Sequence, residues 1–487
     1  MRIIGNNPAA ENAEITAVAS GTMADGKTVV VNADGTVSVV AETSVSQTLG
    51  ATDTFHSGAP AKDITAVKDP STNKIIVVYV NGSTMNYVIG TISGTDMTFT
   101  SPVFIESTVN QGCAAAFDVN AGRIVIINNG ESNSGYVRVG TVSATSISFG
   151  SRVTFDASES TEMSAVYDPD AQKVIIAYRD SGSSERGTAI VATVDPSDNS
   201  ISLGSGTQFE TGATADTDIA YDTVNNVVII AYRDAGNSNY GTAVAGTVSG
   251  TSITFGSPVV FNSAITPGPS IAVDTSANKF VIAYEDRGTS PDKGVAIVGT
   301  VSGTSLSFGT EVVYHNNDNR LNSASYHEEA GKIVIAYCDA SDADKGFFIV
   351  GTVSGSSISF GTAVEYNNQD ATYNEVIYDP TTKQNVVFYQ DYNGSSGAAN
   401  GQSNVFTPAY SSTNITAENF IGFANGAAAD GGTARVQIGS GINGAQSSLT
   451  AGQQYFVQLD GTIGLTAADP SVIAGTAISA TEIIVKG

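Results

Sequence analysis

The chain has 487 residues, 51 of them Gly and none Trp, with 14% charged residues and a formal net charge of −26. Many small and β-branched side chains with few charges describe a turn-rich β protein, not a helical or disordered one. So negative a chain repels phosphate backbones, which excludes nucleic acid as a partner.

Residues 1–13 are polar and carry little pattern. They lack the apolar core of a signal peptide, and no run reaches the roughly 18 apolar residues of a membrane span. No membrane insertion is expected, and release by lysis fits a role outside the cell. The first ordered element is expected over 14–41, where KTVVVNADGTVSVV sets Asp34-Gly35 between β-branched runs, a two-residue hairpin signal. The device returns at Asp460-Gly461 in QQYFVQLDGTIGL, and Gly26 and Gly452 each precede it by eight residues. Segments 14–41 and 419–487 therefore read as related β modules, packed together or against neighbouring chains.

Between them lies a repeat. An acid closes the first strand of each unit at Asp69, Asp118, Asp168, Asp222, Asp274 and Asp379, with His327 standing in once; successive gaps are 49, 50, 54, 52, 53 and 52 residues. A period near 50 with four strands per period is the signature of a β-propeller. The first strand is short, as in MSAVYD (163–168), and a turn follows, sometimes Asp-Pro, as at Asp168-Pro169. The second strand is nearly all apolar, as in VIIAY (174–178), so both its faces must be covered. The third is GTAIVATV (187–194) and its kin. The fourth alternates, as in SITFG (252–256), and a second bulky residue follows its apolar anchor by six, as from Phe255 to Phe261.

First strands number seven but fourth strands only six, because the last unit runs out after SNVFTPAY (403–410). The missing strand is expected in VSQTLGATDTF (45–55), with Asp53 in place of the usual apolar residue. The expected fold is all-β: a seven-bladed β-propeller of four-stranded blades, flanked by small N- and C-terminal β modules. The expected divisions are an attachment segment over 1–44, the propeller over 45–407 with 45–56 closing its last blade, and a linker plus β module over 408–487.

Five acids recur at the end of the second strand, Asp180, Asp234, Asp286, Asp339 and Asp391, and Asn81 and Asn129 hold that place in early units. They are expected on one face with the 156–163, 210–217 and 262–269 loops. Such a ring can accept hydrogen bonds from glycan hydroxyls or hold a cation; equally, each Asp can cap the turn into a Gly-rich loop. Arg179 and Arg233 occupy equivalent positions in adjacent units, with Arg152 and Arg186 nearby in sequence. They suggest a sialidase-like carboxylate clamp, but that family's Ser-x-Asp-x-Gly-x-Thr-Trp repeat is absent. The candidate binding positions are Arg179, Asp180, Arg233, Asp234, Asp286, Asp339 and Asp391.

No catalytic constellation stands out. Asp339, Asp342 and Asp344 lack EF-hand spacing, and His56, His315 and His327 show no ligand spacing. Cys113 and Cys338 fall at different repeat positions, which excludes a disulfide framework and a Cys-based metal site. No metal, cofactor or enzymatic activity is expected.

The opening EITAVASGTMADGKTVVVNADGTVSVV (14–40) resembles the N-terminal stretch of virion structural and tail-fibre-like proteins of marine tailed phages, including cyanophages. The closing stretch from Asn419 to Gly487 resembles the β module of many phage fibre and tail proteins. The resemblance covers the two ends and implies a virion structural protein, assembled in the host cytoplasm, whose propeller contacts the host surface or another virion protein. Implied partners are other virion proteins and a host-surface glycan or receptor, and the resemblance permits a trimer. Alternatives are a glycan-binding or glycan-degrading propeller, and a capsid-decorating or purely architectural virion protein.

Overall fold

The computed structural model describes residues 13–109, 112–393, 398–468 and 470–486; the rest of the expected 1–44 segment, 1–12, lies outside the described residues. These residues form two compact units, one from 47–408 and the other from the chain ends, up to 46 and from 409. No helix among the described residues is long and apolar enough to cross a membrane.

In the larger unit each repeat is an antiparallel sheet. The repeat closed by Asp222 shows the pattern. The end of Thr207–Asp222 pairs with Val227–Asp234, which pairs with Tyr240–Ser249. The expected fourth strand is two strands laid end to end on the third, Ser252–Phe255 and Val259–Ile265. The six-residue aromatic spacing follows from this. Phe255 lies over Gly246 and Phe261 over Gly241, where an added Cβ would come within 2.7 and 2.5 Å of the rings. Bare glycines on the third strand thus seat the aromatics of the fourth.

The second strands carry the core. Ile175 packs with Val228 and Ile230 of the next repeat, while Ile176 packs with Val125 and Ile127 of the previous one. Burying such a side chain is worth roughly 1.5–3 kcal/mol before entropy. The turn acids are buried and satisfy the turn that follows: Asp168 Oδ1 accepts from the amides of Asp170 and Ala171, both at 2.9 Å. His327 does the same work, its Nδ1 accepting from Ala330 N at 3.1 Å.

The inner strands touch in succession. Lys62–Asp69 meets Cys113–Asp118, then come Val153–Asp168, Thr207–Asp222, Ser270–Asp274, Asn319–His327 and Val364–Asp379, and the last meets Lys62–Asp69. The architecture is all-β and of the propeller kind. The N-terminal segment pairs with the final sheet: Leu49 with Phe406, Thr48 with Thr407, and His56 with Gly401. The acid that breaks the fourth-strand pattern has its own task. Asp53 Oδ2 accepts from Met97 N at 2.6 Å, in the first repeat. Lys68 of the first repeat meets buried Asp379 of the last at 2.8 Å.

The smaller unit holds two five-stranded sheets. The first runs in the order Glu14–Val18, Thr433–Gln437, Phe420–Ala424, Thr28–Val31, Val37–Val39; the second, Ile442–Asn443, Ile483–Val485, Ile473–Ala477, Gln454–Val457, Ile463–Gly464. Strand order is the same in both. So is a bulge, between Val29 and Val30 in one and between Tyr455 and Phe456 in the other. The second sheet is a copy of the first, whose third and fourth strands are separated by the whole repeat array. Residues 420–437, read from sequence with the tail, therefore belong with the N-terminal strands. Of the expected linker, Tyr410–Thr413 is a strand paired with Glu42–Val45.

The two Asp-Gly hairpins form, but with three-residue loops instead of two. Gly35 N donates to Asn32 O and Asn32 N to Thr36 O; Gly461, Gln458 and Thr462 repeat both bonds. Gly35 and Gly461 sit at φ 82° and 81°, the left-handed bulge position of such a loop.

Between repeats the backbones approach closely. A Cβ on Gly204 would lie 2.0 Å from the Thr251 carbonyl oxygen of the next repeat, whereas one on Gly361 would meet nothing nearer than 3.8 Å. The final repeat takes its outer strand from the N-terminus and has no matching hairpin turn to press on Gly361. Gly204→Ala is therefore expected to cost about 1–3 kcal/mol in chemical denaturation, and Gly361→Ala to be tolerated.

Candidate binding face at the channel mouth

The inner strands enclose a channel with a cavity of about 1060 Å³. At one end each inner strand bends. The segments expected as loops at 156–163 and 210–217 are strand: Val153–Asp168 and Thr207–Asp222 run unbroken for 16 residues each from one repeat into the next. Of 262–269, the first part belongs to Val259–Ile265. A bulge makes the continuous path possible. Pairing slips between Thr161 and Ser164, between Ala215 and Asp218, and at the equivalent place in three further repeats.

Six positions ahead of the turn acid or its His327 stand-in lie Asp63, Gly112, Glu162, Asp216, Gly268, Leu321 and Tyr373; five of them fall at the slips, while Gly112 and Gly268 lie just ahead of their strands. All adopt positive φ, from 47° at Asp63 to 80° at Gly112. A non-glycine there costs about 1–2 kcal/mol. Sequence inspection missed this ring because the positions share a conformation and a spacing but no residue type.

Carboxylates on the ring partly offset their strain by bonding backbone of the next repeat. Asp63 Oδ2 accepts from Gly112 N at 3.2 Å, and the Glu162 carboxylate accepts from Asp216 N. Two residues further along, in four of the repeats, a second set of side chains does the same. Asp218 Oδ2 accepts from Ile271 N at 2.8 Å, Ser270 Oγ from Ala324 N at 3.1 Å, and Ser323 Oγ from Val376 N at 2.9 Å. Glu375 accepts from the amide of Ala66 and so ties the last repeat to the first.

The expected site residues divide into two groups. Arg179 and Arg233 come to the mouth. Arg233 Nε pairs with Asp216 Oδ2 at 2.6 Å, Arg179 Nη2 with Glu185 Oε1 at 2.5 Å, and both fields reach Glu162. They are held by protein carboxylates, not left as an open clamp. Four of the five Asp residues, Asp180, Asp234, Asp286 and Asp339, are turn devices. Asp180 Oδ1 accepts from Ser183 N at 3.1 Å, Asp286 Oδ1 from Gly288 N at 2.9 Å, and Asp339 Oδ1 from Ser341 N at 2.9 Å. Asp234 accepts from the amides of Gly236 and Asn237, and Asp391 Oδ1 from Asn367 Nδ2 at 3.2 Å. In the acidic loop, Asp342 is paired with Lys345 at 2.8 Å, and among the described residues no group of three His, Cys, Asp or Glu could hold a metal ion. Cys113 and Cys338 are buried free thiols, and burial raises both pKa values.

No family model and no curated protein matches the chain. Among solved structures, a NanB sialidase mutant from Streptococcus pneumoniae aligns at TM-score 0.44 and 11% identity, covering 73% of this chain and 70% of the other. The Dos1 propeller aligns at TM-score 0.45 and 12% identity, covering 73% and 95%. A protein from Lactobacillus plantarum aligns at TM-score 0.45 and 12% identity, covering 68% and 95%. At such distances these similarities assign neither activity nor ligand.

The channel carboxylates share an electrostatic direction. Desolvation, with the Asp218 charge across the channel, pushes Glu375 up to about 8 from 4.5. Burial also raises Asp218, Asp63 and Glu162. A carboxyl whose pKa is higher folded than unfolded makes the folded state take up protons between the two values. Stability is therefore expected to rise as pH falls from about 8 towards 4.5. Glu375→Gln, which keeps an oxygen for Ala66 N, should raise the melting temperature at pH 8 by about 2–4 °C and flatten the pH profile.

Proposed function

We propose that this chain is a non-catalytic virion structural protein, tail-associated or fibre-like. In this reading it displays a seven-bladed propeller to the host surface or to another virion protein. The carrying observation is the place of the array. Glu14–Val18, Thr28–Val31 and Val37–Val39 form one sheet with Phe420–Ala424 and Thr433–Gln437. Both segments that resemble phage fibre sequence thus contribute to one module, and the array is an insertion within it. Such an arrangement suits anchoring by the chain ends and display of what lies between.

Seven inner strands touching in succession, the last against the first, support a count of seven blades. The non-catalytic reading rests on how the channel acids are used: Asp63, Glu162, Asp218 and Glu375 each accept a backbone amide of another repeat. A glycosidase needs two carboxyl groups placed for proton transfer and attack; these four are engaged in holding strands. Assembly with other virion proteins in the host cytoplasm follows from the same reading, and a trimer is compatible with it.

Peptide mass spectrometry and antibody labelling of purified particles whose genome encodes this chain test the reading. The chain is expected in the particles, with antibody against 47–408 slowing adsorption to host cells. Its absence from particles would contradict the assignment.

A further inference from the structure

We infer that copies of this chain associate head to tail through the smaller unit, the open face of its second sheet docking on the first sheet of another copy. The inference goes beyond the virion reading and needs only the duplicated module. Strand pairing lays the two sheets over one another. Glu14, Gln437, Phe423 and Thr28 stand in a row across the first sheet. Ile442, Ile484, Thr476 and Gln454 form the same row across the second. Past the bulge, Val30 facing Phe420 in the first sheet becomes Phe456 facing Ile473 in the second. In the first sheet this face is covered. Val30 and Phe423 are fully buried and pack with Tyr455 and Ile483 of the second. Tyr455 and Ile483 adjoin Phe456 and Ile484 in their strands, so they point to the opposite face. The contact inside the chain is therefore head to tail. It leaves the second sheet's own copy of the covered face open, with Ile442 37% and Ile484 39% exposed.

The glycines mark the same asymmetry. An added Cβ on Gly26 would come within 2.7 Å of Ala445, and one on Gly461 would strike the Val40 carbonyl oxygen; on their counterparts Gly452 and Gly35 it would meet nothing within 4 Å. Polar contacts follow suit: Thr28 Oγ1 donates to Gly461 O at 2.7 Å and Gln446 Nε2 to Gly26 O at 2.8 Å. Asn443, buried in this contact, corresponds to Ile15, which is 38% exposed. The chain thus leaves one unmatched surface on each sheet, around Gly452 and Ile484 on the second and around Gly35 and Ile15 on the first. A second copy supplies the match for both, by repeating between chains the contact already made within one. The residues of the open face carry no charge, so in a chain of net charge −26 it is a place where copies can meet without close repulsion. Because the two surfaces differ, the contact builds a ring or a row, not a two-fold pair.

The test is sedimentation velocity of the full chain across a concentration series. The chain is expected to run above the mass of a single copy. Ile484→Glu, on the open face, and Ile15→Glu, on the surface it would meet, should each run as a single copy while staying folded, since both residues are exposed. Mixed in equal amounts, the two variants should form pairs and nothing larger, because each keeps one intact surface. Single copies at every concentration of the unsubstituted chain, self-association that survives either substitution, or variants that fail to pair would overturn the inference. So would association that appears only after removal of residues 1–12, which would give the open face to the chain's own N-terminus.

Discussion

A sheet with an unpaired edge invites other strands, and a row of sheets joined end to end has a last edge to cover. Here Ala398–Thr407 would present that edge, and Thr48–Leu49 and Asp53–His56 cover it from the other end of the array. The ladder is short, and side chains reinforce it. Phe55 packs in one cluster with Val386 and Phe388 of the last repeat and Ile75 and Val77 of the first. Lys68–Asp379, Asp53 with Met97 N, and Glu375 with Ala66 N cross the same junction. The junction between first and last repeats thus has the kinds of contact found between repeats adjacent in sequence.

Closure places the bulges around one channel. A continuous strand passing from one repeat to the next must turn, and a left-handed residue at each bulge makes the turn without giving up the ladder. The amides freed there need acceptors, which Asp63, Glu162, Asp218, Ser270, Ser323 and Glu375 provide. Acidity in the channel is in this sense architectural. Leu321 and Tyr373 depart from the acids and glycines at this position, and Tyr373 packs against the cluster that joins the last repeat to the first.

Much of this was legible in the residues. The turn acids set the period, and His327 was readable as a substitute because imidazole also accepts an amide. Four of the five Asp residues after the second strand were readable as turn caps because they recur with the period; Asp391, bonded by the Asn367 side chain, departs from them. Other features were not legible. Ala33 and Leu459 belong to hairpin loops but read as strand residues, so the loops looked one residue shorter. The 156–163 and 210–217 segments looked like loops because they are polar; of their residues only Glu162 and Met163, and Asp216 and Thr217, line the cavity, and the rest lie along the strands. The duplicated module was half visible: Asp34-Gly35 and Asp460-Gly461 announced it, but its first copy is split by the array, and sequence adjacency grouped 420–437 with the wrong sheet.

Closure by the N-terminal segment is the claim on which the channel, its mouth and the insertion reading depend. Thr54 pairs with Gln402 in the register that joins first and last repeats. Facing residues in an antiparallel pair lie about 4.5–5.5 Å apart at Cα, within disulfide reach. Thr54→Cys with Gln402→Cys should form a disulfide under mild oxidation and raise the melting temperature of the whole array, reversibly on reduction. Failure of the two thiols to couple while the chain stays folded would contradict the account.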